Sequence, residues 1–399
     1  MEFPDLATAK EKLTEFFRHE KKIGPSDIRV IASPYRICPL GAHIDHQGGP
    51  VLGMTINAYT LMAFVPTNDD MVWLQSRNYP GIIRLRLDRL TEKTGDSWGI
   101  YAWAACLALQ EAYPIQKGLI GILDGMLPGC GLSSSASVLL AYLHALAAAN
   151  HIKLQAWDYV RLARRAENRY IGLNNGILDQ TSIMFGRRGR LLHIDTRQEK
   201  VSELPDALGE SRYRLIVAYS GYPRSLASSG YNSRVQECRE AARRLSQMYG
   251  CSPAKILSDV PAEAFQHHGH KLAPEVGRRA GHFFSEIQRV KDGVAAWQSG
   301  CIEEFGRLMV ESCRSSVEQY ECGTQPIYDL QQIVCSADGV FGSRFMGGGF
   351  GGCVVALVDQ SKAATAAANI RKAYRRRHPE VADKAEVFLA RSADGVNFL

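Results

Sequence analysis

Three short stretches hold residues whose types and spacing can do chemistry. From Leu127 to Ala141 the chain reads LPGCGLSSSASVLLA. Pro128, Gly129 and Gly131 make a turn, Leu132 and three consecutive serines (Ser133, Ser134, Ser135) follow, and an apolar run continues to Ala148. A helix start leaves backbone N–H groups unpaired and carries a partial positive charge, so it draws an anion. Glycines let the backbone approach that anion, and serine hydroxyls donate to phosphate or ligate a cation. A serine N-cap on a core helix would account for one hydroxyl but not for three after two glycines. The stretch reads as a phosphate cradle.

The second stretch is the loop Cys38–Gly49, where His43, Asp45, His46 and Gln47 crowd polar groups into a few residues. The third, Gly347–Gly352 (GGGFGG), formally matches the dinucleotide fingerprint, but the strand-like run CVVALV follows it where that fingerprint needs a helix. A glycine turn between two strands instead lays bare backbone against a ligand or closes a hairpin. GxxxxGK[ST] is absent, which excludes a P-loop nucleotide site.

These loops need strands and helices to hold them. The spacing predicts an N-terminal amphipathic helix, a strand at Ile28–Ser33, and further strands at Val51–Ile56, Thr60–Val65, Met71–Gln75 and Ile82–Leu87, a mainly antiparallel opening. A helix over Trp98–Ala112, a strand at Leu119–Asp124, the serine-headed helix, a helix over Gln155–Tyr170, a loop at Gly172–Gln180 and a strand at Leu191–Asp195 complete the first half. Polar Glu203–Gly209 marks the boundary, giving domains 1–205 and 206–399. The second half opens with a strand at Leu215–Ser220 and continues with helices around 232–249, 275–298, 302–318 and 324–335. Strands at Val340–Met346 and Cys353–Val358, a helix at 361–375 and a strand at Glu386–Ala390 close it. The fold class is α+β, two domains facing each other across a cleft.

Composition excludes several classes. No apolar run approaches the roughly 20 residues that span a membrane, and the N-terminus lacks the charged-then-apolar pattern of a secretion signal. Ten cysteines without a CxxC pair indicate reduced thiols in a cytoplasmic protein, not a zinc site or a disulfide framework. The formal charge of +6 suits anionic small molecules, but no basic run interleaved with aromatics argues for nucleic acid. Gln266–His270 (QHHGH) reads as a surface loop, not a metal site.

YRICPLGAHIDHQGG at 35–49, PGCGLSSSAS at 128–137 and FMGGGFGGC at 345–353 resemble, in order, the three motifs of the GHMP small-molecule kinases. The first is similar to the galactokinase signature, and AENRYIGLNNGILDQ at 166–180 and GYNSRVQEC at 230–238 extend the likeness over essentially the whole chain. The resemblance implies ATP and Mg²⁺ as cofactors and a sugar as acceptor. Asp179 matches the aspartate that takes the anomeric proton, and Arg36 the arginine that keeps it ionised and stabilises the transferring phosphoryl group. Ser135 and Glu167 match the Mg²⁺ ligands. Gly129, Gly131, Leu132, Ser133, Ser134 and Ser135 match the nucleotide-phosphate loop, and Trp98 an aromatic near the adenine. Asp45 and Tyr231 match groups bonded to sugar hydroxyls, with Gly347, Gly348 and Gly349 approaching by backbone.

The chain departs from that pattern where the signature has a glutamate before its histidine: here Ala42 precedes His43. That glutamate accepts a hydrogen bond from a sugar 6-hydroxyl, and alanine removes both the acceptor and the charge. A 6-hydroxyl loses about 1–3 kcal/mol if left dry, whereas a 6-carboxylate is relieved of roughly 4 kcal/mol of repulsion. His46-Gln47 replaces the usual Tyr-Asn and adds a group that can be cationic or donate. The loop resembles that of the galacturonokinase branch, which implies ATP-dependent phosphorylation of D-galacturonate at C1. Galactose, or a sugar with no polar group at C6 such as L-arabinose, is the alternative acceptor; a non-catalytic sugar sensor is the alternative class. His43, His46, Arg224 and backbone amides are candidates to hold the carboxylate. The expected partners are the sugar acid and ATP, with no nucleic acid, no membrane and a monomeric chain.

Overall fold

The computed structural model describes residues 1–21, 24, 27–90, 98–207, 209, 211–223 and 230–399. The first half runs α1 (Leu6–Lys21), β1 (Arg29–Ile37), β2 (Val51–Pro66), β3 (Met71–Ser76), β4 (Ile82–Arg86), α2 (Ile100–Gln110), β5 (Leu119–Gly125), α3 (Ser134–Ala149), α4 (Ala156–Arg165), α5 (Leu178–Phe185), β6 (Arg190–Asp195) and β7 (Lys200–Pro205). The second runs β8 (Tyr213–Tyr219), α6 (Tyr231–Tyr249), α7 (Ala262–His268), α8 (Pro274–Gln298), α9 (Ile302–Glu318), α10 (Gln325–Cys335), β9 (Val340–Phe345), β10 (Cys353–Asp359), α11 (Ala363–Arg377), β11 (Glu386–Ala390) and β12 (Asn397–Phe398).

One sheet has the order β12-β1-β2-β5-β3-β4, with β6 and β7 extending from β2; the other has the order β11-β8-β10-β9. All pairs are antiparallel except β3 with β5. β2 is one long strand where two were expected. Asn57 and Ala58 bulge where β1 shifts register between Pro34 and Tyr35. The Asn57 polar groups are satisfied by the Arg391 backbone, as donor and as acceptor, so the strand continues.

α3 buries twelve of its sixteen residues and packs on α2, α4, β1 and β2. Its Leu/Ala composition on every face suits a helix with no solvent side. That rigid rod fixes where its serine-bearing start lies. The expected helix over Gln155–Tyr170 is α4 continued by a π-helical turn, Ala166–Ile171, which carries Glu167; such turns often mark functional positions. The expected loop Gly172–Gln180 ends early because α5 begins at Leu178.

β7, α7 and β12 had no counterpart in the sequence reading. The QHHGH segment is the end of α7 and a following 3₁₀ turn instead of a loop. The termini cross between the halves: the Met1 amino group and carbonyl bond to Val387 and Leu389 of β11, while β12 pairs with β1. Among the described residues no helix is long and apolar enough to cross a membrane.

Candidate active site

Asp179 lies in the first turn of α5 and meets Arg36, which β1 delivers from a site 143 residues earlier. Nε and Nη2 of Arg36 reach Oδ1 of Asp179 at 2.7 and 2.6 Å. The guanidinium is buried, and the carboxylate is 19% exposed, toward the cavity. A buried charge pair of this kind is fixed by its partners and is costly to break from one side.

Ser133 supplies a third member. Its backbone is left-handed (φ 61°), it caps no helix N–H, and its hydroxyl donates to Oδ2 of Asp179 at 2.5 Å. A non-glycine residue in that conformation persists only where its surroundings over-determine it. Ser133 was expected at the nucleotide phosphates; in this structure its hydroxyl is turned to the aspartate and orients it. Leu132 anchors the same loop. Its side chain is fully buried in the core, and its carbonyl accepts the Arg36 backbone N–H at 3.2 Å, tying the loop to β1.

Two cavities meet at this centre. One, of about 700 Å³, is lined by Arg36, Asp179, Ala42, His43, Asp45 and Tyr231, with Glu167, Gly347 and Gly348 also on its wall. The other, of about 1280 Å³, is lined by Gly129, Ser134, Val138, Tyr79 and Trp98, whose indole Nε1 donates to the Pro80 carbonyl at 3.1 Å. Ser135 lines both. Ser134 accepts the Gly129 N–H at 3.0 Å and closes the turn on itself.

Gly131 lines neither cavity. With its positive φ (79°) it packs against the third glycine motif, where a side chain would meet the Met346 carbonyl and Gly352. Gly349 likewise turns away, toward Phe345 and Gly323. The glycine turn between β9 and β10 thus backs the phosphate loop, and only Gly347 and Gly348 face the sugar-side cavity.

Asp45 is tied into the same centre. Oδ1 accepts its neighbour His46 N–H at 2.9 Å and Oδ2 the Leu178 N–H, one residue before Asp179, at 3.1 Å. Burial, and then the nearby Asp179 charge, push the Asp45 carboxyl above its usual range. His46 departs from expectation. Its Nδ1 accepts from Gln47 Nε2 at 2.9 Å, which leaves Nε2–H to donate to the Tyr320 hydroxyl at 2.9 Å. Burial, helped by Arg239 and His282, lowers it to about 3, so it is neutral and lies off the cavity wall. Arg224 falls outside the described residues.

Glu167 is buried, and the amides of Asn175 (2.6 Å) and Gln180 both donate to its Oε2. Glu167 and Ser135 share the sugar-side wall. A carboxylate and a hydroxyl are the donor set of a hard cation that keeps several waters and substrate phosphates. Among the described residues no cluster of three or more His, Cys, Asp or Glu gathers round one point. The residues present therefore fit Mg²⁺ bound largely through a nucleotide.

Sequence reasoning missed Asn175 and Gln180, although both stand in the quoted 166–180 segment. It also missed His282, Glu286 and Tyr320, which reach the Cys38–Gly49 loop from the second half. Their separation along the chain, 245 residues for Gly41 and Glu286, leaves no local pattern to find.

Residues 18–66 match the galactokinase galactose-binding signature, 100–187 the GHMP kinases N terminal domain and 293–376 the GHMP kinases C terminal model. A galacturonokinase of Arabidopsis thaliana is 41% identical over 95% of this chain and 93% of its own length. A galactokinase of Roseiflexus sp. is 32% identical, covering 96% of each chain. The Lactococcus lactis galactokinase complexed with galactose superposes with a TM-score of 0.89 at 29% identity, covering 98% and 99% of the two chains. A mevalonate kinase at 16% identity and a TM-score of 0.62 shares the fold. The chain belongs to the galactokinase family of the GHMP kinase superfamily.

Proposed function

We propose that this chain transfers the γ-phosphoryl group of ATP to the anomeric hydroxyl of D-galacturonate, giving D-galacturonate 1-phosphate and ADP. The observation that carries the sugar-acid reading is Ala42, which lines the cavity that also holds Asp179 and Arg36. The 41% identity with a galacturonokinase supports it.

Asp179 accepts the proton of the sugar O1 as that oxygen attacks the γ-phosphorus. Ser133 and Arg36 hold the carboxylate in line, and the second edge of the guanidinium stabilises charge on the transferring group. Asp45 and Tyr231 orient the ring hydroxyls, and Gly347 and Gly348 close the cavity by backbone. Gly129, Ser134 and Trp98 bound the nucleotide side. Glu167 and Ser135 would hold the Mg²⁺, which would supply charge neutralisation at the phosphates. Ten free thiols suit a reducing cytoplasm. We divide the chain into domains 1–205 and 206–399, because β1–β7 build one sheet and β8–β11 the other, with β12 returning to the first.

The test is coupled ADP release over D-galacturonate, D-glucuronate, D-galactose, L-arabinose and L-fucose, with Asp179→Asn as control. Turnover mainly on galacturonate, lost in the control, is the expected result. Preference for galactose overturns the reading of Ala42. Sugar binding with no ADP from either protein makes the chain a sensor.

A further inference from the structure

The loop that forms the C6 end of the sugar-side cavity belongs to the first half, yet three successive residues of it are gripped by the second. The Gly41 N–H donates to Oε1 of Glu286 at 2.7 Å. The Ala42 carbonyl accepts from Nε2 of His282 at 2.9 Å. The His43 ring stacks on Tyr320, with centroids 4.6 Å apart and planes within 9°. His282 and Glu286 stand four residues apart on α8, hence on one face of it.

Both are buried and braced from behind. Nδ1 of His282 accepts the Ser315 hydroxyl at 2.8 Å, which fixes the tautomer that donates to Ala42. Glu286 also receives the Ser312 hydroxyl at 2.5 Å and Arg289 Nε at 2.6 Å, while Arg344 donates to Ser312 at 2.5 Å. A satisfied buried network of this kind is rigid. The loop needs such rigidity, since Gly41 and His43 both have left-handed backbones, at φ 91° and 65°, and a histidine held there requires outside support.

We infer that His282, with Glu286 beside it, is a positioning residue for sugar selectivity: it holds the Ala42 carbonyl toward α8 so that the methyl faces C6. Released, the peptide between Ala42 and His43 can turn its carbonyl oxygen into the cavity, where its partial negative charge opposes a sugar carboxylate and accepts from a sugar hydroxyl. The helix of one half thereby sets which C6 group the loop of the other half admits. This inference rests on the sugar-kinase reading above.

The experiment compares His282→Ala with His282→Gln, whose terminal amide can still donate to the Ala42 carbonyl. Steady-state ADP release gives KM for the sugar and for ATP separately, and amide hydrogen exchange of residues 38–46 reads the loop without turnover. For His282→Ala the expected result is a rise in sugar-acid KM of about tenfold, the size of one lost buried hydrogen bond. ATP KM should stay within about twofold, galacturonate-over-galactose selectivity should fall, and exchange should quicken across 41–44. His282→Gln restores most of each. An unchanged sugar KM, an equal rise in both KM values, or a glutamine variant as impaired as the alanine one overturns the inference. If the wild type turns over galactose instead of galacturonate, the substrate reading fails on its own; the KM split on galactose and the exchange pattern still decide the positioning role.

Discussion

Ala42→Glu restores the carboxylate that the galactokinase signature carries and tests the charge argument directly. Ala42 is 7% exposed and lines the cavity with Cys38 and His43, so on the proposed sugar pose the new side chain meets C6. Two like charges about 4 Å apart at an effective dielectric of about 20 repel by about 4 kcal/mol, a factor of roughly 10³. The variant can avoid part of that by keeping its new glutamate protonated, at a cost of about 3.7 kcal/mol at pH 7 from an ordinary value near 4.3. The two routes set the same ceiling. The expected loss in kcat/KM for galacturonate is about 10²–10³ at pH 7, shrinking to roughly fifteenfold at pH 5.5, where protonation costs only about 1.6 kcal/mol. Galactose, offered a charged acceptor for its 6-hydroxyl, should gain about 1.5–3 kcal/mol. Ala42→Gln adds similar bulk without charge and isolates overpacking. The assay is ADP release on both sugars at both pH values, each variant compared with wild type at the same pH. If glutamate and glutamine harm galacturonate turnover equally, bulk is responsible and the charge argument is refuted.

Ser133→Ala deletes the hydroxyl that orients Asp179 and should lower kcat about tenfold with both KM values nearly unchanged; a raised ATP KM with kcat intact would return Ser133 to the phosphates. Glu167→Gln removes one charge from the donor set proposed for the cation. Magnesium titration at fixed ATP should show a half-saturating concentration about tenfold higher, and an unaltered curve would take Glu167 off the metal. Acid should weaken the fold through three histidines that burial lowers, His144 and His282 to about 4 and His46 to about 3. Between their unfolded value near 6.5 and about 4 the unfolded chain binds more protons, so stability rises with pH across that window and is lost as pH falls. From pH 6.5 to 5 the three together cost about 5 kcal/mol, which denaturant melts should register; a flat profile would mean these rings are not held neutral.

Much of the site was legible because its parts are local. The turn before α3, the apolar rod behind it and the polar loop before β2 each announce themselves within about fifteen residues. What escaped is direction and distance. Ser133 sits where a phosphate-loop serine should, but a left-handed backbone swings its hydroxyl to an aspartate 46 residues on. His46 is polar in sequence and spent in structure, because Gln47 and Tyr320 occupy both ring nitrogens. β12 is two residues long, and nothing in Asn397–Phe398 foretells that it closes a sheet begun by β1.

The charge inventory of the sugar-side cavity explains why one alanine carries so much meaning. Among the described residues, Asp45, Asp179 and Glu167 line it with only the Arg36 guanidinium in opposition, so this wall is rich in negative charge. The raised Asp45 carboxyl, lifted by burial and by Asp179, registers that crowding. A neutral sugar can tolerate a fourth carboxylate on such a wall and even use it as an acceptor. A sugar acid brings the fourth carboxylate with it, and a glutamate at position 42 would then be a fifth. Removing that side chain is the smallest change that admits an acid, and it leaves the Arg36–Asp179–Ser133 centre, which never meets C6, untouched.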